Sequence, residues 1–120
     1  MQLIYMYQFN IQTHEFKKTE CQLVGTHKIN DFSYIMSLIK NGKPHRVIRR
    51  IKEPGQADVE RSSYFVIGYY YEPNKIEDFK KNCIKCLLEY KDKIQNNINS
   101  LLGINNLFDE SINKLKSSDF

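Results

Sequence analysis

Large apolar residues recur at every second position where the chain opens. Leu3, Tyr5, Tyr7, Phe9 and Ile11 take every second position, the period of a strand with one buried face. The other face, Ile4, Met6, Gln8 and Asn10, begins apolar and turns polar, so cover on both sides is expected only over its first half. After a polar turn at 12–15, Thr19, Cys21 and Leu23 resume the alternation within 16–24, and a hairpin follows. Residues 26–32 read as a polar connection with Asn30 and Asp31 as turn formers. Residues 33–39 read as a third strand with Tyr34, Met36 and Leu38 on one side, although a short helix after Asp31 fits the same letters. Asn41 and Gly42 both tolerate the positive φ of a type I′ turn and should lead into a fourth strand at 45–51. Pro54 and Gly55 break that strand, 56–62 reads as a loop, and the aromatic and β-branched run 64–71 reads as a fifth strand.

The period then changes from two to between three and four. Ile76, Phe79, Cys83, Leu87, Tyr90, Ile94, Ile98 and Leu101 form one stripe. Asn74 is placed to cap a first turn, Glu77 completes a capping-box pair, and Gly103 supplies a left-handed stop. One helix over 73–103 is predicted, on the order of 40 Å long at 1.5 Å per residue. That exceeds what covering a small sheet requires, so its far half, Leu87, Tyr90, Ile94, Ile98 and Leu101, is the expected surface of a homo-oligomer. Leu107, Phe108, Ile112 and Leu115 mark a short second helix at 105–116. The expected fold is a single α+β domain over 1–120: an antiparallel sheet of about five strands in 1–72, then the long and the short helix.

Composition narrows the class. At 120 residues and 41% hydrophobic, the chain fits one domain with a real core. The first residues carry no basic leader, and no apolar run approaches the ~18 residues of a membrane span, so a cytoplasmic protein is expected. Three cysteines, an odd number with two inside the predicted helix, do not read as a disulfide framework.

The formal charge of +4 is unevenly placed. Lys40, Lys43, Arg46, Arg49, Arg50 and Lys52 form a basic stretch that also holds His45 and no acid, and all four arginines lie between positions 46 and 61. Arginine forks there suit phosphate or carboxylate; the plainer reading is an edge strand guarded by charge. Because Arg46 and Arg50 share one face and Arg49 takes the other, at least one arginine should point to a covered side and need an anionic partner. Glu53, Asp58, Glu60 or a ligand could supply it. Tyr64, Tyr69, Tyr70 and Tyr71 lie in the adjacent segment, where tyrosines are either half-buried sheet residues with a wet hydroxyl or, at Tyr69 or Tyr71, partners that stack a base beside the arginines. The candidate ligand-binding set is therefore Lys43, His45, Arg46, Arg49, Arg50, Tyr69 and Tyr71.

Other motifs carry less. Cys83 and Cys86 spell C-x-x-C, but in the third turn of the helix rather than at its N-terminus, where the dipole would activate a thiol; buried core thiols are the reading. Cys21, His14 and His27 are the only further donors a metal could use, and their spacing matches no ligand pattern. His14, His27 and His45 are dispersed, and no hydrolase, nucleotide-loop or RNA-domain motif is present. No catalytic residue, metal or cofactor is assigned, and a non-enzyme is expected.

Tyr5-Met6-Tyr7-Gln8-Phe9-Asn10-Ile11-Gln12-Thr13 with the arm Glu15-Phe16-Lys17-Lys18-Thr19-Glu20, and Tyr69-Tyr70-Tyr71 running through Asp78-Phe79-Lys80-Lys81, resemble small accessory proteins of phages and mobile elements of AT-rich bacteria. The resemblance implies a stoichiometric antidefence protein of the nucleotide-sponge or anti-CRISPR type in a host cytoplasm. The expected function is occupancy: a basic strand and turn gripping a signalling nucleotide or nucleic acid of the host defence. Two alternatives stand beside it, an anti-CRISPR protein that binds a Cas effector through protein contacts, and a small nuclease resting on His45.

Overall fold

The computed structural model describes residues 2–95 and 102–118. They form an α+β fold of six antiparallel strands and two helices: β1 (Gln2–Asn10), β2 (Phe16–Lys28), β3 (Ser33–Lys40), β4 (Lys43–Arg50), β5 (Glu60–Ser62), β6 (Phe65–Tyr70), α1 (Ile76–Gln95) and α2 (Leu102–Ser117). The spatial order is β4-β3-β2-β1-β6-β5, so the opening strand lies inside the sheet. Both its faces are covered: Tyr5, Tyr7 and Phe9 are buried on one, Ile4 and Met6 on the other.

The helices take the face of Tyr5, Tyr7, Phe9 and Ile11. There Val66, Phe79, Cys83, Leu87, Phe108, Ile112 and Leu115 complete one core. The opposite face curls over itself, packing Ile4 and Met6 with Cys21, Leu23, Met36, Leu38 and Tyr69 in a second core. The curl brings the end of β4 round to the segment before and within β5, where Asp58 meets Arg49 and Glu60 meets Lys52.

The strand pattern departs from expectation in two places. The second strand does not stop at residue 24: its register shifts between Leu23 and Gly25, and Thr26 then pairs with Met36. One extra residue restores the ladder, as a bulge does, and polar alternation alone does not reveal it. The second departure is the predicted loop 56–62, which contains β5. It joins β6 through Ser63 and Tyr64, with Ser63 at φ 54°. Neither turn residue is glycine or asparagine, so the hairpin carries no signature. The Asn41-Gly42 turn has positive φ at both positions, 53° and 75°.

The helical region differs more. The single helix of 73–103 is instead α1, ending among the described residues at Gln95, and α2, which already includes Gly103. The expected glycine stop therefore lies inside a helix. α1 begins at Ile76, and its entrance is fixed from the sheet rather than by Asn74. The Tyr7 hydroxyl donates to the Pro73 carbonyl at 2.8 Å and accepts from the Lys75 amide at 3.3 Å, and Lys18 Nζ donates to the same carbonyl at 2.7 Å. α2 packs against α1 and pairs Asp109 with Lys91 at 2.6 Å. It also reaches the sheet, where buried Ser111 donates to the Ile11 carbonyl at 2.9 Å.

Candidate functional site: two recesses at the end of strand β4

β4 pairs with β3 from Lys43 opposite Lys40 to Arg50 opposite Ser33. Strand alternation sends Lys43, His45, Val47 and Arg49 to one face and Arg46, Ile48 and Arg50 to the other. In a two-residue hairpin the closing pair is hydrogen-bonded, so the amides of even-numbered β4 residues point out from the sheet edge. Pro44 has no amide to offer there, and the Arg50 amide donates to Glu60 Oε1 at 3.3 Å. The edge is thus blunted at both ends.

Arg49 is the arginine that points to a covered side. Its side chain is 5% exposed, and Nη2 lies 3.3 Å from Asp58 Oδ1. Nη1 donates to the Tyr34 hydroxyl at 3.3 Å, and the guanidinium sits 5.1 Å from the Tyr69 ring centre. Asp58 is itself held, its amide donating to Asn82 Oδ1 on α1 at 3.2 Å. Around this pair is a recess of about 310 Å³ lined by Tyr34, Arg49, Asp58, Tyr69, Tyr71 and Lys75 among others. Burial pushes the Tyr69 phenol up to about 12, against the opposing pull of Arg49. Burial also raises Tyr70 to about 12 although it accepts from Asn82. Both stay neutral hydroxyls at physiological pH. The two cations here already have acids: Arg49 has Asp58, and Lys75 lies 3.2 Å from Glu72 and 3.3 Å from Asp78. The sequence-predicted residues Arg49, Tyr69 and Tyr71 therefore come together, in a recess whose charge is balanced from within.

A larger recess, about 670 Å³, opens on the other side of the strand end. Its floor is buried Ala57, Val59 and Cys86, and its walls carry Arg50, Lys52, Arg61 and Lys93 against Glu53, Glu60 and Glu89. Lys52 pairs with Glu60 at 3.2 Å. Glu89 Oε1 accepts from the Ala57 amide at 3.4 Å. Arg50, Arg61 and Lys93 have no carboxylate partner among the described residues. Arg61 is set rigidly, its guanidinium 4.7 Å from the Tyr90 ring centre and 5.4 Å from Phe108. Nη1 donates to the Ser63 carbonyl at 2.9 Å, while the buried Nε has no hydrogen-bond partner. Lys93 Nζ approaches the same Tyr90 ring at 5.3 Å. An arginine laid on aromatic faces keeps its edge donors for an oxyanion.

Lys43, His45 and Arg46 are exposed toward the turn end of β4 and line neither recess. The expected oligomer stripe also changes meaning. Leu87 is fully buried in the chain's own core, and Tyr90 and Ile94 are half-buried against it, because α2 and the sheet already occupy that face. Ile98 and Leu101 lie outside the described residues.

Cys83 and Cys86 are buried free thiols. Burial raises both, Cys86 to about 11 with Glu89 adding to the effect and Lys52 and Arg61 opposing it. Burial likewise raises Cys21. Among the described residues no three His, Cys, Asp or Glu side chains form a metal-holding group, and no helix is long and apolar enough to cross a membrane.

Sequence reasoning did not select Lys52, Arg61 or Lys93 for the site. Nothing in the spacing of Arg61 and Lys93 shows that the curl of the sheet brings them beside Arg50. No protein-family model, curated protein or solved structure matches this chain.

Proposed function

We propose that this protein is a non-enzymatic binder of an anionic ligand, held in the larger recess by Arg50, Arg61 and Lys93. One observation carries the reading: these three cations have no carboxylate partner among the described residues, and they surround a cavity of about 670 Å³, a size typical of small-molecule sites. Arg61 is half-buried at the recess wall while Arg50 and Lys93 reach it from exposed positions, and an incoming phosphate or carboxylate gives all three a charge-assisted partner. Arg49 is then a structural arginine, and Arg50 is the member of the basic stretch that meets ligand.

In the phage and host setting suggested by the resemblance, the protein acts by occupancy, sequestering an anionic component of a defence system such as a signalling nucleotide or a nucleic acid. His45, on which a nuclease would rest, stands away from the recess, so turnover is not part of the proposal. A direct protein inhibitor is the second reading, favoured by exposed Ile48 on the same face as Arg46 and Arg50.

Native mass spectrometry of the purified protein, alone and with a mixture of signalling nucleotides, tests the choice. Stoichiometric uptake of a small anion, lost in Arg61→Ala, is expected. No uptake, with capture of an effector complex instead, would transfer the role to the Ile48 face.

A further inference from the structure

Resting on the anion-binding reading above, the geometry points to a nucleoside phosphate as the ligand of the larger recess, its phosphate on Arg50, Arg61 and Lys93 and its base stacked on Phe32. The observation behind this is an aromatic ring where folding alone gives it nothing to do. Phe32 is 78% exposed, the most exposed large hydrophobic side chain among the described residues, and it lines the same recess as the three cations.

Its backbone is firmly fixed. Asn30 Oδ1 accepts from the Phe32 amide at 2.8 Å, the Ser33 amide at 3.0 Å and the Ser33 hydroxyl at 3.1 Å. The Phe32 carbonyl accepts from the Ile51 amide at 2.8 Å, which ties the turn to the chain just past Arg50. The Ile29 amide donates to the Ser33 carbonyl at 3.0 Å. Because the turn is already fixed, binding has only the Phe32 side chain to order, and aromatic faces stack bases whatever their identity.

Tyr90, the other aromatic of the recess, is already flanked by Arg61 and Lys93, which leaves Phe32 as the open face. All three cations line one recess of about 670 Å³, the volume of a small-molecule site, so the occupant is a compact nucleotide rather than a strand, which would need cations spaced along its backbone.

Titration calorimetry with inorganic phosphate, adenosine, AMP and a ten-residue oligothymidylate separates the contributions. AMP should bind one to one and at least tenfold tighter than either phosphate or adenosine. Phe32→Ala and Phe32→Leu should both reduce AMP affinity about tenfold or more and leave phosphate affinity unchanged; neither threatens the fold, since the side chain is mostly in water. Arg61→Ala should weaken phosphate and AMP alike. If AMP binds no tighter than phosphate, or if the Phe32 variants leave their ratio intact, the nucleotide assignment is overturned while the anion site stands. Binding of neither phosphate nor AMP overturns both. Oligothymidylate bound a hundredfold tighter than AMP would overturn the compact ligand in favour of a strand.

Discussion

Arg49→Ala removes a guanidinium whose side chain is 5% exposed, together with its 5.1 Å contact over Tyr69 and its bonds to Tyr34 and Asp58, whereas Arg50→Ala truncates an exposed side chain. A desolvated cation–π contact contributes about 2 kcal/mol. The Asp58 pair adds at most about 1 kcal/mol, because that carboxylate is 57% exposed and regains water when its partner goes. With the cavity left beside Tyr34, the loss for Arg49→Ala is about 2–4 kcal/mol. For 120 residues the unfolding entropy is roughly 0.25 kcal/mol/K, so Tm should fall by about 8–16 °C. Arg50→Ala should stay within about 0.5 kcal/mol, or roughly 2 °C, yet weaken inorganic pyrophosphate about tenfold, the worth of one charge-assisted contact. Thermal unfolding followed by circular dichroism and calorimetric titration with pyrophosphate read the two effects separately. An Arg49→Ala variant that melts within about 2 °C of the parent and loses pyrophosphate, or an Arg50→Ala variant that lowers Tm and binds normally, would reverse these two roles.

Other perturbations have defined outcomes. A Cβ on Gly68 would stand 3.0 Å from Tyr70 Cε2, 3.0 Å from Val59 Cγ1 and 3.1 Å from Phe79 Cδ1; Gly68→Ala should therefore cost about 1–2 kcal/mol in denaturant unfolding. Gly25→Ala, with nothing within 4 Å, should cost less than about 0.5 kcal/mol. With its thiol raised to about 11, Cys86 is about 0.1% thiolate at pH 8, so a disulfide reagent should label neither it nor Cys83 in the native protein and should label both after denaturation; prompt native labelling would contradict their place in the core. Stability should also decline in alkali. Groups whose folded pKa is raised keep their proton longer in the folded state, so the contribution of Cys86 is intact below pH 9 and lost as pH rises through about 11, and that of Tyr69 and Tyr70 is intact below pH 10 and lost through about 12. A denaturant midpoint that stays constant between pH 8 and 11 would count against this burial.

Much of this protein is legible in its local pattern. Alternation at Leu3 to Ile11 placed the first strand, Asn41-Gly42 placed the β3–β4 hairpin, and the steps at Phe79, Cys83 and Leu87 and at Phe108, Ile112 and Leu115 placed the buried faces of both helices. Each of these is a short-range property, in which a side chain's period or a turn residue's φ has one structural meaning. Asp58 was among the acids the sequence offered to a buried arginine, and the structure chose it. What the pattern could not express is where periodicity is interrupted or where distant segments meet. A bulge at Val24, a turn at Ser63 and the replacement of one long helix by α1 and α2 all preserve the apolar spacing on either side, so the same letters fit either arrangement.

The site depends on the longest-range feature of all. Arg50, Arg61 and Lys93 come from β4, β5 and α1, and only the curl of the sheet, closed by Asp58 on Arg49 and Glu60 on Lys52, puts their charges around one cavity. That closure depends on how two cores pack on opposite faces of one sheet, a sum of many contacts between residues far apart in the chain. Only packing across the sheet could therefore settle which of two adjacent arginines is paired inside the fold and which stands exposed at the recess.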